Sequence, residues 1–180
     1  MAKDYSARIS EKSQSYLAKI YGVFKVVINS SHPIIIIIME NLSRFFTNPL
    51  NFDLKGSKHE RRSTYTGYPN YRVMPRGRVY KDIDFANAFK QLYTENIDGS
   101  EILKSLELDT KLLEAYEIMD YSMLLLLEES NNCRNSLLHS NNCFRSGELI
   151  GIIGIIDFLQ NYSTRKRLET TLNTVHLFRG

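Results

Sequence analysis

Cysteine is scarce in this chain. Cys133 and Cys143 are the only two, and they stand in a polar stretch without CxxC spacing, which argues against a zinc site and a disulfide scaffold. Both read as reduced thiols. Long apolar runs are missing too: the longest are Ile34 to Met39, Met123 to Leu127 and Leu149 to Ile156. All fall far short of the roughly 18–20 residues that span a bilayer, so no transmembrane helix is expected. The first residues, Met-Ala-Lys-Asp-Tyr-Ser-Ala-Arg, carry charge with no apolar stretch behind it and do not read as a secretory signal, which points to a cytoplasmic address.

What remains is ordinary globular material. The 180 residues are 43% hydrophobic and 11% aromatic, enough for one domain with a sizeable core. A net charge of +3 hides an asymmetry. Between Leu54 and Lys81 stand Lys55, Lys58, Arg61, Arg62, Arg72, Arg76, Arg78 and Lys81 against a single acid, Glu60. Such a segment suits phosphates or an anionic membrane; by composition alone it is also what a solvated loop looks like. Tyr65, Tyr68, Tyr71 and Tyr80 lie in the same stretch and could stack on bases. The charge is confined to one loop rather than spread over the domain, so nucleic acid is not expected as a partner.

The pattern predicts an α+β fold. Tyr21 to Ile28 and Pro33 to Met39 are β-branched runs around the turn-type cluster Asn29-Ser30-Ser31-His32, which predicts an antiparallel hairpin. The unbroken isoleucines imply a strand buried on both faces. A third short element is expected near Asn51 to Leu54. Gly67, Pro69, Pro75 and Gly77 mark 56–80 as loop. Phe85, Ala88, Phe89, Leu92 and Tyr93 recur with helical spacing behind Asp82 and Asp84 as caps. A second helix is expected from Ser100 toward Leu108, a third from Asp109, and a last one from Thr164 through Leu172. Met123 to Leu127 and Leu149 to Ile156 are expected to pair antiparallel, with the polar 130–147 as an inserted loop.

That pairing has a chemical consequence. The start of the first strand lies beside the end of the second, so Asp120 and Asp157 flank one edge. Taken singly, Asp120 caps a turn and Asp157 caps a following helix. Held together, two carboxylates serve phosphoryl transfer, one orienting the attacking hydroxyl and one holding magnesium on the phosphates.

Three segments then occur in order: Phe52-Asp53-Leu54-Lys55-Gly56-Ser57 followed by Arg61-Arg62; Ile118-Met119-Asp120-Tyr121-Ser122-Met123-Leu124; and Gly154-Ile155-Ile156-Asp157-Phe158-Leu159-Gln160. Together they resemble the signature of phosphatidylinositol phosphate kinases, and a looser likeness runs from about Ser15 to Glu169. The resemblance implies a kinase-like α+β fold with a partial N-lobe antiparallel sheet and a helical C-lobe bearing a catalytic hairpin. It implies ATP and Mg2+ as cofactors, with the γ-phosphate passing to an inositol hydroxyl of a phosphatidylinositol phosphate at the cytoplasmic face of a membrane.

By position, Asp120 resembles the catalytic-loop aspartate, Asp157 the metal-binding aspartate, and Lys55 the lysine near the transferred phosphate. Met39, Glu40 and Asn41 resemble the hinge that receives adenine. Lys58, Arg61, Arg62, Arg72, Arg76 and Arg78 fall to the lipid headgroup or the membrane. The sequence departs from the family at Leu126, where a glycine is usual, and at Glu128, where a histidine is common. No glycine precedes Tyr21, and Lys3, Lys12 and Lys19 are outside any apolar strand. Residues 1–180 therefore read as one partial, shortened kinase domain, without the glycine-rich loop, the ATP-binding lysine and the C-terminal specificity loop. On its own it is expected to transfer phosphate poorly, the alternative role being an inactive module that binds anionic lipid. The oligomeric state is left open by these residues.

Overall fold

The computed structural model describes residues 1–159 apart from 12, 30–31, 64–66, 90 and 133–141. The helix expected from Thr164, Tyr65 and most of the 130–147 loop lie outside the described residues. The architecture is mixed α+β, as the sequence implies. In chain order the elements are α1 (Ala2–Ser10), β1 (Ile20–Val26), β2 (Ile34–Met39), β3 (Leu50–Leu54), β4 (Val79–Tyr80), α2 (Asp82–Ala88), α3 (Gly99–Ala115), β5 (Ser122–Glu129), β6 (Cys143–Ser146) and β7 (Leu149–Ile156).

Five strands form one sheet in the order β4-β3-β5-β7-β6, antiparallel throughout except for the β3–β4 pair. β5 and β7 are its central strands, and their continuous apolar sequences fit that place because both faces are covered. Leu125, Leu126 and Leu127 are buried, as are Leu149, Ile150, Ile152, Ile153 and Ile155. Gly154 exists for space: a Cβ there would collide with Leu42, which lies in the 3-10 turn Leu42–Phe45. β6 falls inside the stretch read as a loop. It is a four-residue strand on the edge of β7, held from its other side by Glu95 N–H to Arg145 O (2.9 Å) and by the Asn96 side chain.

That contact also explains why α2 stops at Ala88 rather than running to Tyr93. Phe89 turns extended, at φ −124° and ψ 110°, and the chain then travels to the β6 edge. Phe89 still packs into the aromatic cluster of Phe52, Phe85 and Tyr71. The two helices expected around 100–116 are one. Asp109 does not start a helix; it is a fully buried member of the inward stripe Ile102, Ser105, Asp109 and Leu113. There it accepts hydrogen bonds from Tyr16 N–H (2.6 Å) and the Ser15 hydroxyl (2.8 Å) and pairs with Arg8 Nε (3.0 Å). Polar residues in the buried stripe hid its continuity.

β1 and β2 pair as expected, from Ile20 with Met39 to Val26 with Ile34. The expectation that the isoleucines are buried is overturned: every residue of β2 is exposed, from 37% at Ile37 to 57% at Ile35. An uninterrupted apolar run reports that a strand favours cover on both faces, and the described residues bury no side chain of β2. The hairpin joins the body at its base. Tyr16 and Ala18 bond Ile155 on the stretch of β7 that β6 leaves open, and Glu40 N–H reaches Lys19 O at 2.7 Å.

Candidate functional site

The site is set by register. Leu54 pairs with Met123, and Ser122 pairs with Ile156, so the end of β3, the start of β5 and the end of β7 meet along one edge. The residues just beyond those strand ends are Lys55, Asp120 and Asp157. They line one cleft of about 360 Å³ together with Met39, Phe158 and Leu159. Lys55 Nζ donates to the Asp120 carbonyl at 3.0 Å. Asp120 and Asp157 are both exposed on this edge. Phe158 is fully buried against the Tyr5 ring and forms the floor's apolar anchor. A second, apolar cavity of about 320 Å³ also touches Lys55 and is bounded by Leu54, Phe85, Leu106, Met123 and Ile155.

Of the residues matched to the hinge, Met39 reaches the cleft from the base of the hairpin. Glu40 spends its backbone N–H on Lys19 and its carboxylate on Arg44 (3.5 Å). The Asn41 side chain accepts from Ser43 and caps the 3-10 turn.

The basic segment divides into two classes. Arg61 is turned inward: Nε donates to Asp82 (2.9 Å) and Nη2 to the Asp53 carbonyl (2.5 Å). Its guanidinium pKa is raised, since the Asp82 and Asp53 contacts together outweigh burial, which acts in the lowering direction and is the largest single influence. Arg76 is half-buried, with Nη1 3.5 Å from the Leu127 carbonyl. Lys58, Arg62, Arg72 and Arg78 are exposed, Arg72 in an ion pair with exposed Glu148 at 2.7 Å. The described tyrosines of the segment pack against the core: Tyr80 is fully buried between Phe52 and Tyr68, and Tyr71 stacks on Phe89 at 5.2 Å. They fasten the loop to the sheet.

One participant escaped the sequence reading. Asp82, read as a helix cap, accepts from the backbone N–H groups of Lys55 (3.1 Å) and Gly56 (2.8 Å) as well as from Arg61. An Asp at a helix start carries no mark of a partner 26 residues earlier, so only an unpaired arginine in the intervening loop could have pointed to it.

The arrangement offers two carboxylates and one ammonium to a ligand in a cleft with an apolar floor. Mg2+ commonly uses one or two carboxylates and completes its shell with substrate phosphates. Among the described residues no group of three or more His, Cys, Asp or Glu could hold a metal unaided, and the donor set here fits the two-carboxylate pattern.

Comparison with known proteins gives the same direction. The family model for phosphatidylinositol-4-phosphate 5-kinase matches residues 1–148, a stretch that includes Lys55 and Asp120. The chain is 29% identical over 129 residues to chicken (Gallus gallus) phosphatidylinositol 4-phosphate 5-kinase type-1 beta, covering 71% of this chain and 23% of that protein. It is 33% identical over 140 residues to putative phosphatidylinositol 4-phosphate 5-kinase 11 of Arabidopsis thaliana, covering 76% of this chain and 32% of the relative. It is 32% identical over 186 aligned residues to 1-phosphatidylinositol-3-phosphate 5-kinase FAB1A of Arabidopsis thaliana, covering 96% of this chain and 9% of the relative. The chain thus spans a third or less of the length of each of these proteins.

Proposed function

The chain belongs to the phosphatidylinositol-4-phosphate 5-kinase family, and on that premise we propose that its cleft transfers the γ-phosphate of ATP to a ring hydroxyl of a phosphatidylinositol phosphate. The observation that carries the reading is the meeting of Lys55, Asp120 and Asp157 in one cleft, three residues from three separate strand ends. Phosphoryl transfer is mostly positioning and charge stabilisation, so rigid strand ends are suitable mounts for its groups.

In this reading Asp120 orients the attacking inositol hydroxyl and takes its proton as the oxygen bonds to the γ-phosphorus, whose bond to the bridging oxygen breaks so that ADP leaves. Lys55 places a compact positive charge beside the transferred phosphate. Asp157, which shares the cleft with Asp120, would hold magnesium, whose charge would offset that on the phosphate oxygens. The exposed Lys58, Arg62, Arg72 and Arg78 face an anionic membrane, where each basic residue near the surface contributes about 1 kcal/mol. Arg61 is better matched to holding the loop than to meeting lipid, because its Nε and Nη2 are committed to Asp82 and Asp53. Met39 borders the space left for the nucleotide.

The test is transfer of labelled phosphate from magnesium-ATP to vesicles carrying each phosphatidylinositol monophosphate in turn. Asp157→Asn should lower the rate by about a hundredfold or more, while the fold is unchanged. A rate that survives in Asp157→Asn, or no interaction with millimolar magnesium-ATP by calorimetry, would overturn the proposal.

A further inference from the structure

We infer that Asp82 is the positioning residue for Lys55: its carboxylate fixes the backbone of the 55–56 turn so that only the lysine side chain is left to serve the cleft. The inference rests on the proposed phosphate-handling role of Lys55.

Four contacts converge on this carboxylate. Oδ1 accepts from Gly56 N–H at 2.8 Å and Lys55 N–H at 3.1 Å; Oδ2 accepts from Arg61 Nε–H at 2.9 Å and, more weakly, from Lys55 N–H at 3.3 Å. Arg61 closes the ring by donating to the carbonyl of Asp53, inside β3. Two successive backbone N–H groups turned toward one anion form a nest, and Gly56, at φ +71°, supplies the left-handed residue that such a turn uses. Hydrogen bonds with a charged acceptor are stronger than neutral ones. The nest is filled by the protein's own carboxylate, so it is not the place where a substrate phosphate would dock. Lys55 Nζ, by contrast, points at Asp120 O and lines the cleft.

A plain capping role does not account for this. Asp82 opens α2, but the start of that helix is closed by Asp84, whose Oδ2 accepts from Lys81 N–H at 3.0 Å and also from Ser63 N–H at 2.8 Å. Asp82 contributes nothing to that box and instead reaches 26 residues back. A lysine side chain has many rotamers, and a mobile turn beneath it would multiply them; anchoring the turn is what makes one direction of Nζ prevail.

The experiment uses the full chain as wild type, Asp82→Ala, Asp82→Asn and Asp82→Glu. Asp82→Asn keeps the shape and one acceptor, so it supplies a folded comparison if the alanine variant unfolds. Individual lysines are pulse-acylated with acetic anhydride and quantified by mass spectrometry, with Lys104 and Lys111 as internal standards. Lys55 should react at least threefold faster in Asp82→Ala and Asp82→Asn and return toward wild type in Asp82→Glu. Amide hydrogen exchange at Lys55 and Gly56 should quicken in parallel. In the vesicle transfer assay Asp82→Asn should lower kcat by about ten- to a hundredfold and leave KM for lipid within about threefold. If the amides quicken while Lys55 acylation stays at the wild-type rate, the carboxylate secures the loop alone and the inference is wrong. The proposed function fails separately: Lys55→Ala that transfers phosphate as fast as wild type would remove the lysine from that reaction and leave the acylation result standing.

Discussion

Asp120 and Asp157 share a backbone peculiarity: φ is 61° at the first and 62° at the second. Aspartate and asparagine visit this left-handed region at little cost, whereas β-branched residues do not. Both acids therefore sit at turns next to a strand, Asp120 just before β5 and Asp157 just after β7, and both are exposed. They were legible in the sequence because the alternatives were few: once two apolar runs are paired antiparallel, the residues bracketing them must meet. The Asp82 and Arg61 pair was not, since it depends on how a 25-residue loop closes. Another residue-scale property follows from burial at Cys143, where desolvation pushes the thiol up to about 11. Its raised value means that its contribution to stability is fully present below the ordinary thiol range, near 9, and is lost as pH rises through about 11. In a Cys133→Ser background, disulfide-reagent labelling at pH 8 should run about a hundredfold slower than in the urea-unfolded chain, because thiolate is the reactive form. Equal rates in the two states would contradict that burial.

Between elements, the join of α1 to α3 contains a buried ion pair. Arg8 pairs with Asp109 at 3.0 Å and also donates to the carbonyls of Gln14 (2.6 Å) and Ser105 (3.3 Å). Removing one partner strands the other, so Asp109→Ala should cost about 3–5 kcal/mol in urea unfolding. Burial raises the Asp109 carboxyl from its ordinary value, with the Tyr16 N–H, the Ser15 hydroxyl and Arg8 pulling it back. A carboxyl raised in the folded state stabilises most below the ordinary value near 3.8, and that increment disappears as pH climbs through the folded value. The stability difference between wild type and Asp109→Asn should therefore shrink as pH rises from about that value. A difference that widens over the same range would reverse the sign. Periodicity exposed the elements with apolar faces, β5, β7 and the first turns of α2. It split α3 in two because a buried aspartate looks, in sequence, like a place where a helix begins.

At the scale of the molecule the β1–β2 hairpin stands apart from an otherwise well-covered sheet. Tyr21, Val23, Phe24 and the run Ile34 to Met39 are all exposed, and no lysine, proline or bulge interrupts β2 itself. An exposed apolar strand of this kind is a template for pairing with other chains. Light scattering of the purified chain should show concentration-dependent association that Ile36→Lys reduces, with the main sheet intact by circular dichroism. A monodisperse wild type at high concentration would show that the strand is innocuous. Sequence located the hairpin correctly, yet it could not say what covers it, because an apolar run encodes an appetite for contact and not its partner. The base of this hairpin depends on Tyr16 and Ala18 bonding Ile155. On the ribosome that partner emerges after the intervening residues have been made, at about 5–20 residues per second. The nascent hairpin must then wait for several seconds or longer without its anchor, and because docking the base leaves the isoleucines exposed, a chaperone that shields them has the same surface to protect after synthesis as during it.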